Sequence, residues 1–329
     1  MKESNSKAVY DVIIVGGAGA GLTAGIYAGR RAMKTLIITK DIGGQIMETD
    51  TVENYPGFIK IAGPELMQNF EKQAQKAGAE IIFSTVTSIR ESKKEFVLIA
   101  DEKEYKAKAV ILAFGKTPKS LNVPGEEKLT GRGVSYCTIC DGPLYKNKDV
   151  VMVGGGNSAL EGALFLSEIA KKVYLIHRRD EFRGFEYLVE QIQKKKNVEL
   201  ILSSVVTEIK GDKKVDSILI KDLKTEKNRE LKVDGIFIEV GLEVKTDFIK
   251  HLIKTDENGQ IVINNKSETY YPNTEKIRPG IFAAGDLTNT PFKQIVISAG
   301  EGARAALQAY NYLHAGKTKV VADWVSRRK

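Results

Sequence analysis

Short apolar runs, each closed by glycines or by a charged turn, recur along the 329-residue chain. Asp11-Val12-Ile13-Ile14-Val15 is apolar without interruption after its first residue, which predicts a parallel strand buried on both faces. The turn Gly16-Gly17-Ala18-Gly19-Ala20-Gly21 follows, then a small-residue helix over 22–30 and a strand over 35–39. Gly43-Gly44-Gln45 and Glu53-Asn54-Tyr55-Pro56-Gly57 show neither period and read as loops. Leu66, Phe70 and Ala74 recur at helical spacing and predict a helix over 65–77. Strands follow over 80–90, 95–100 and 109–113, with the turn Asp101-Glu102-Lys103-Glu104 closing a hairpin, and Gly115-Lys116-Thr117-Pro118 ends the last of them. Residues 118–127, with two prolines and a glycine, read as a linker.

The opening pattern then returns. Asp149-Val150-Val151-Met152-Val153 repeats the strand, Gly154-Gly155-Gly156-Asn157-Ser158-Ala159 repeats the turn, and a helix over 158–169 and a strand over 172–176 complete the unit. A helix over 186–196, strands over 199–209, 215–220 and 230–240, and a second linker over 241–247 come next. The last two strands read as an antiparallel addition. Strands over 261–263 and 280–286 and a helix over 292–311 close the chain. Gly300 and Gly302 inside that helix each cost about 1 kcal/mol, which suggests close approach to a ligand or a sheet. The repeat predicts an α/β protein of two Rossmann-like dinucleotide-binding domains, three-layer sheet folds, and the two linkers predict that the second domain is inserted into the first.

Strand, glycine turn and helix N-terminus together offer amides to a pyrophosphate. In the first turn Gly16 and Gly21 hold the outer fingerprint positions, while Ala18 holds the middle one, where a glycine lets backbone approach the phosphate. Asp41 falls near the place of a ribose-binding acid, and Thr39 and Lys40 are equally close. Asp286, at a strand end, could accept a hydrogen bond from a ribityl or ribose hydroxyl. The second unit ends its second strand with His177-Arg178-Arg179-Asp180, followed by Arg183. Arginines there suit a ribose 2′-phosphate, so this site reads as NADPH-preferring, against the plainer account of a basic surface cluster. Cofactor packing or simple structure explains His177 as well as any proton transfer.

Only two cysteines occur, Cys137 and Cys140, in Tyr136-Cys137-Thr138-Ile139-Cys140-Asp141-Gly142. They exclude a secreted disulfide scaffold and favour a cytoplasmic location, where such a pair is catalytic rather than structural. A structural zinc site wants four ligands, and three scattered histidines at 177, 251 and 314 do not supply the rest. Fifty Lys plus Arg against 42 Asp plus Glu give a net charge of +8, spread along the chain. The runs Lys194-Lys195-Lys196 and Arg327-Arg328-Lys329 read as solvated faces, so no nucleic-acid partner is expected, although the basic excess could assist encounter with an acidic one. The polar start leads straight into a strand, so neither a secretory signal nor a membrane span is expected. The tail 320–329, with the sole tryptophan, Trp324, carries no functional signal.

Taken jointly, the chain strongly resembles the low-molecular-weight thioredoxin reductases over nearly its whole length. The motifs are Gly43-Gly44-Gln45, Glu53-Asn54-Tyr55-Pro56-Gly57, Cys137-Thr138-Ile139-Cys140-Asp141-Gly142, Gly154-Gly155-Gly156-Asn157-Ser158-Ala159, His177-Arg178-Arg179-Asp180-Glu181-Phe182-Arg183, Gly285-Asp286 and Lys293-Gln294-Ile295. The resemblance implies FAD in a discontinuous domain over 1–117 and 246–329, NADPH in an inserted domain over 118–245, and a homodimer. It implies flavin contacts from Gly16, Ala18, Gly19, Ala20, Gly21, Thr39, Lys40, Gly44, Gln45, Asn54, Gly115, Gly285, Asp286, Lys293, Gln294 and Ile295. It implies NADPH contacts from Gly154, Gly156, Asn157, Ser158, His177, Arg178, Arg179 and Arg183. Ala18, the pair Asn157-Ser158 in place of the family's frequent Asp-Thr, and Glu243-Val244 in place of Asn or Thr with Pro depart from the pattern. None of them touches the thiols or the arginines.

In that family hydride passes from NADPH to the flavin, and the reduced flavin opens the disulfide, here Cys137–Cys140. Cys140 faces the flavin and can form a charge-transfer thiolate, Cys137 attacks the protein substrate's disulfide, and Cys140 resolves the mixed disulfide. Asp141 manages the proton, coupled to the neighbouring thiol. Rotation of the inserted domain, at linkers near Pro118 and Glu243, alternates the partners; a crosslinked orientation with unimpaired turnover would sink that idea. The partner expected is thioredoxin or a glutaredoxin-like dithiol protein. A ferredoxin- or flavodoxin-dependent enzyme is disfavoured by the arginines, a ferredoxin–NADP reductase by the cysteines, and a peroxiredoxin-reducing relative by the short leader. A non-catalytic flavin redox sensor would show slow reduction and a partner gained or lost.

Overall fold

The computed structural model describes residues 9–49, 51–93 and 95–314; the tail with Trp324 and the basic run 327–329 lies outside them. In chain order, β1 (Val9–Gly17), α1 (Gly19–Arg30) and β2 (Thr35–Ile42) open the chain. After them come α2 (Gly63–Lys76), β3 (Glu80–Phe83), β4 (Val86–Ser92), β5 (Glu95–Ala100) and β6 (Lys103–Leu112). Next are β7 (Thr117–Pro118), α3 (Glu126–Leu129), β8 (Val134–Ser135), α4 (Thr138–Asp141), β9 (Asp149–Gly154), α5 (Asn157–Ile169), β10 (Lys172–Ile176) and α6 (Glu186–Gln193). The strands β11 (Val198–Ile201), β12 (Ser204–Lys210), β13 (Ser217–Asp222), β14 (Asn228–Lys232), β15 (Gly235–Glu239) and β16 (Leu242–Glu243) follow. Then β17 (Glu268–Tyr270), β18 (Ile277–Ala283) and α7 (Ile295–Leu313) finish the described chain. The described residues fall into two units, one comprising those up to Lys116 and from Val244 onward, the other spanning Thr117–Glu243.

In the first unit β18, β6, β1, β2 and β3 lie side by side and parallel, with β17 antiparallel at one edge and the β4–β5 hairpin paired onto β6. The apolar run of β1 is uninterrupted because both faces of its sheet are covered. Val12 and Ile14 join α1, α2 and α7 in one core, while Ile13 and Val15 join Ile89, Phe96 and Leu98 of the hairpin in another. Gly302 of α7 meets α1, where an added Cβ would lie 2.0 Å from the Ala20 carbonyl oxygen. That close approach is to a helix, not to the ligand or sheet read from sequence, because the small residues of both helices let their backbones meet. Gly300 faces open space.

The second unit is built on the same plan. Its sheet runs β11-β10-β9-β15-β8, all parallel, with α5 and α6 on one face and the antiparallel β12-β13-β14 sheet on the other. The crossings to and from the first unit are hydrogen-bonded to each other, Leu242 opposite Pro118 and Glu243 opposite Thr117.

Three runs read from sequence as single strands are each two. Residues 80–90 divide because Ser84 N–H still bonds Thr39 O beside β2, whereas Val86 pairs with Ala100 of the hairpin. Residues 199–209 turn at Ser203, whose φ is +49°. Residues 230–240 change sheets between two neighbours, since Val233 N–H bonds Asp216 O and Asp234 N–H bonds Asp149 O. Ile261 and Ile263 make isolated bridges in place of a strand. Among the described residues no helix is long and apolar enough to cross a membrane, and no cluster of His, Cys, Asp and Glu could hold a metal.

Candidate active site

In the first unit β1, β2, β6 and β18 are parallel, so the turns that follow them emerge at one edge, the place where open parallel sheets take ligands. The strand ends and turns there carry Gly16 to Gly21, Thr39 and Lys40 in the second half of β2, Gly115, and Gly285 with Asp286. Gly16 and Gly21 are required by packing. An added Cβ would lie 2.3 Å from Ala113 O at Gly16 and 1.9 Å from Gly16 O at Gly21. Ala18 precedes α1 in extended backbone (φ −110°, ψ −163°), and no side chain caps the first turn, so the amides of Gly19, Ala20 and Gly21 at the helix start are left for an anion.

Thr39 is drawn into structure, its hydroxyl donating to Asp41 O at 2.5 Å and its side chain packing on Gly17. Lys40 is exposed. Gly44, at φ +56°, and Gln45 open a short 3-10 turn, and Gln45 Nε2 donates to Lys116 O at 3.4 Å. Asn54 and Gln294, remote in sequence, meet at 3.1 Å. Lys293 Nζ donates to Thr288 O at 2.7 Å, and burial, then the Lys116 cation, holds its ammonium below the usual lysine range. Ile295 packs its side chain over Gly19. Asp286 Oδ1 accepts from Ser298 at 3.1 Å. Glu301 of α7 is buried and accepts the Gly285 N–H at 2.7 Å and the Thr290 hydroxyl at 2.6 Å, which fixes the Gly285-Asp286 turn. The sequence reading missed Glu301; the one available signal was an acid on the small-residue face of a helix.

In the second unit Gly154 (φ +154°) is packed against Glu239 O, and Gly155 against the His177 ring, which an added Cβ would meet at 2.2 Å. Gly156 differs from both, with nothing within 4 Å of the space its Cβ would fill and no side-chain cap on α5 beyond it. Ser158 is exposed in that first turn. Arg183 N–H donates to Gly155 O at 2.8 Å, and Asn157 Oδ1 accepts the Phe185 N–H at 2.8 Å. The carboxamide of Asn157 thus pins the loop that carries Arg178, Arg179 and Arg183 to the start of α5. All three arginines are exposed, and none makes an ion pair among the described residues. His177 is buried against Phe182 with its Nε2 unpartnered, and burial, then the three arginines, holds the imidazole below its ordinary range. A cradle with room at Gly156, free amides beyond it and three unpaired guanidinium groups fits a nucleotide carrying an extra phosphate.

The disulfide grows from the same sheet. Cys137 and Cys140 are bonded, their Cα atoms 5.3 Å apart, and they follow directly on the C-terminal end of β8. β8 lies two strands from β9, about 10 Å across the sheet, and its C-terminal end lies at the same edge as the glycine turn. The Cys140 N–H donates to Cys137 Sγ at 3.1 Å. Thr138 and Gly142 anchor the turn on α5, against Gly162 and Phe165 respectively. Cys140 is exposed, while Cys137 and Asp141 are half-buried. Asp141 Oδ2 is 2.7 Å from the hydroxyl of Ser135, a buried residue the sequence reading did not single out.

Residues 10–305 match the family described as pyridine nucleotide-disulphide oxidoreductase. The thioredoxin reductase of Bacillus subtilis is 41% identical over 307 residues, 93% of this chain and 95% of that protein. The crystal structure of Lactococcus lactis thioredoxin reductase aligns with a TM-score of 0.78 at 39% identity, covering 92% of this chain and 99% of the other. That of the T. acidophilum thioredoxin reductase aligns at 0.75 and 38%, covering 92% and 98%.

Proposed function

The chain belongs to the pyridine nucleotide-disulphide oxidoreductase family, and from that premise we propose that it is an NADPH-dependent thioredoxin-disulfide reductase. The observation that carries the proposal is the pairing, at one sheet edge, of a redox-capable disulfide with an open phosphate cradle beside three unpaired arginines. FAD fits the first unit, where uncapped amides at Gly19 to Gly21, the open space at Gly115 and the acceptor Asp286 belong to one edge. When bound, FAD supplies the two-electron relay between the nicotinamide and the disulfide.

This chain's residues do the rest. Arg178, Arg179 and Arg183 hold the 2′-phosphate, and the first turn of α5 holds the pyrophosphate. In the dithiol form the Cys137 thiolate attacks one sulfur of the partner's disulfide and releases the other as a thiolate, to which Asp141 gives a proton. The Cys140 thiolate then attacks Cys137 Sγ, which releases the partner's second sulfur and restores the Cys137–Cys140 bond. One disulfide is reduced and one formed, and the two protons of the Cys137 and Cys140 thiols end on the partner's two sulfurs, the first by way of Asp141. The proposal includes rotation about the paired crossings at 117–118 and 242–243, a homodimer, and a cytoplasmic setting, in which only two cysteines are retained and both are used.

Turnover with a thioredoxin disulfide, followed by loss of NADPH absorbance, tests the reading. Arg178→Ala/Arg179→Ala is expected to raise KM for NADPH about 10- to 100-fold and leave NADH almost unaffected. Reduction of a glutaredoxin-like protein but not thioredoxin would replace the substrate, and turnover driven only by a reduced ferredoxin would replace the donor.

A further inference from the structure

The Ser135 hydroxyl makes three polar contacts, all to the disulfide turn. Its Oγ lies 2.7 Å from Asp141 Oδ2 and 3.1 Å from the Cys137 carbonyl oxygen, and it accepts the Cys137 N–H at 3.1 Å. The residue is buried at the end of β8, while Asp141 is half-buried. A serine hydroxyl has one proton to give and two lone pairs to fill. With Asp141 ionised, the hydroxyl donates to Oδ2 and accepts from the Cys137 N–H. With Asp141 protonated, its carboxyl O–H donates to Oγ, the Cys137 N–H still does, and the serine proton turns to the Cys137 carbonyl. Each proton involved has an acceptor in both states, and a rotation of one O–H bond converts one arrangement into the other.

We propose that Ser135 is the positioning residue for Asp141, holding its carboxyl in one place beside the cysteines through both halves of the proton cycle. The proposal rests on the acid–base role assigned to Asp141 in the reductase reading, and goes beyond it by naming what keeps that acid aligned. No proton passes through Ser135 itself. Alanine would leave Asp141 Oδ2 without its donor and the Cys137 N–H without its acceptor, freeing the carboxylate to turn toward water.

A double-mutant cycle tests this in the flavin-loaded enzyme, with Ser135→Ala, Asp141→Asn and the pair together. Two quantities are read: kcat, with KM for thioredoxin as its control, and the iodoacetamide alkylation rate of Cys137 after reduction with dithiothreitol, assigned by peptide mass. Ser135→Ala is expected to lower kcat about tenfold while KM for thioredoxin stays within about twofold. The double variant is expected to match Asp141→Asn in both quantities, because a misplaced acid matters only where there is an acid. A serine that merely braced the turn would cost the same factor in the Asp141→Asn background, and that additivity would overturn the proposal, as would an unchanged kcat in Ser135→Ala. Unchanged rates in Asp141→Asn alone would instead overturn the acid–base reading beneath it.

Discussion

Ala18 and Gly156 occupy equivalent places in two equivalent turns, and both precede a helix in extended backbone that any residue adopts. Neither position needs glycine for its conformation. At Gly156 the reason for glycine is the empty space beside it. Gly156→Ala is therefore expected to leave unfolding stability within about 0.5 kcal/mol of the parent. It should weaken NADPH about tenfold, near 1.4 kcal/mol, by holding the pyrophosphate off the amides; thermal unfolding and calorimetric titration check the two halves separately. His177 makes a second prediction at this scale. Its imidazole is held below the ordinary value of 6.5 by burial and then by Arg183, Arg179 and Arg178. As pH falls, the unfolded chain takes up this proton before the native one. The contribution is thus intact above about pH 6.5 and lost below it, at up to about 1.4 kcal/mol per pH unit until the native group also titrates. Urea unfolding between about pH 7 and pH 5 should show that slope, and His177→Gln should lack the part due to this residue. The two cysteines and the arginines stood out in the sequence because their residue types carry the chemistry. Ser135 and Glu301 did not, since a serine in a strand and a glutamate in a helix acquire meaning only from the backbone groups that folding brings to them.

At the scale of elements, the buried parallel strands were legible wherever an uninterrupted apolar run ended in glycine, as at β1, β9 and β18. The boundaries that failed are those where one extended run serves two sheets. In 230–240 the one mark of the step is the Asp234-Gly235 dipeptide, between an exposed charged half and an uninterrupted apolar half; the change itself lies in which neighbour each N–H finds. Gly302 shows how contact overrides local preference, since it weakens its own helix so that α7 can lie against α1. Gly302→Ala should gain helix propensity yet destabilise the protein by about 1–3 kcal/mol, because the added methyl overlaps the Ala20 carbonyl. Chemical unfolding checks it, with Gly300→Ala, whose methyl would enter open space, as the control that should stabilise by about 0.5–1 kcal/mol.

At the scale of the molecule, two sheets of one design each present a nucleotide edge, and the second presents the disulfide as well. The repeat of strand and glycine turn made that design legible from the sequence, because the apolar core of a parallel sheet and the tight turn that follows it both constrain residue type. Electron flow from one nucleotide to the other and then to sulfur is what the arrangement is proposed to serve. Anaerobic titration of the flavin-loaded protein with NADPH, and in parallel with NADH, tests it most directly. Uptake of two electron pairs per chain, one for flavin and one for the Cys137–Cys140 bond, with NADPH far more effective than NADH, is the predicted result. Uptake of a single pair would mean that the disulfide is not in electronic contact with the flavin, and would contradict the account.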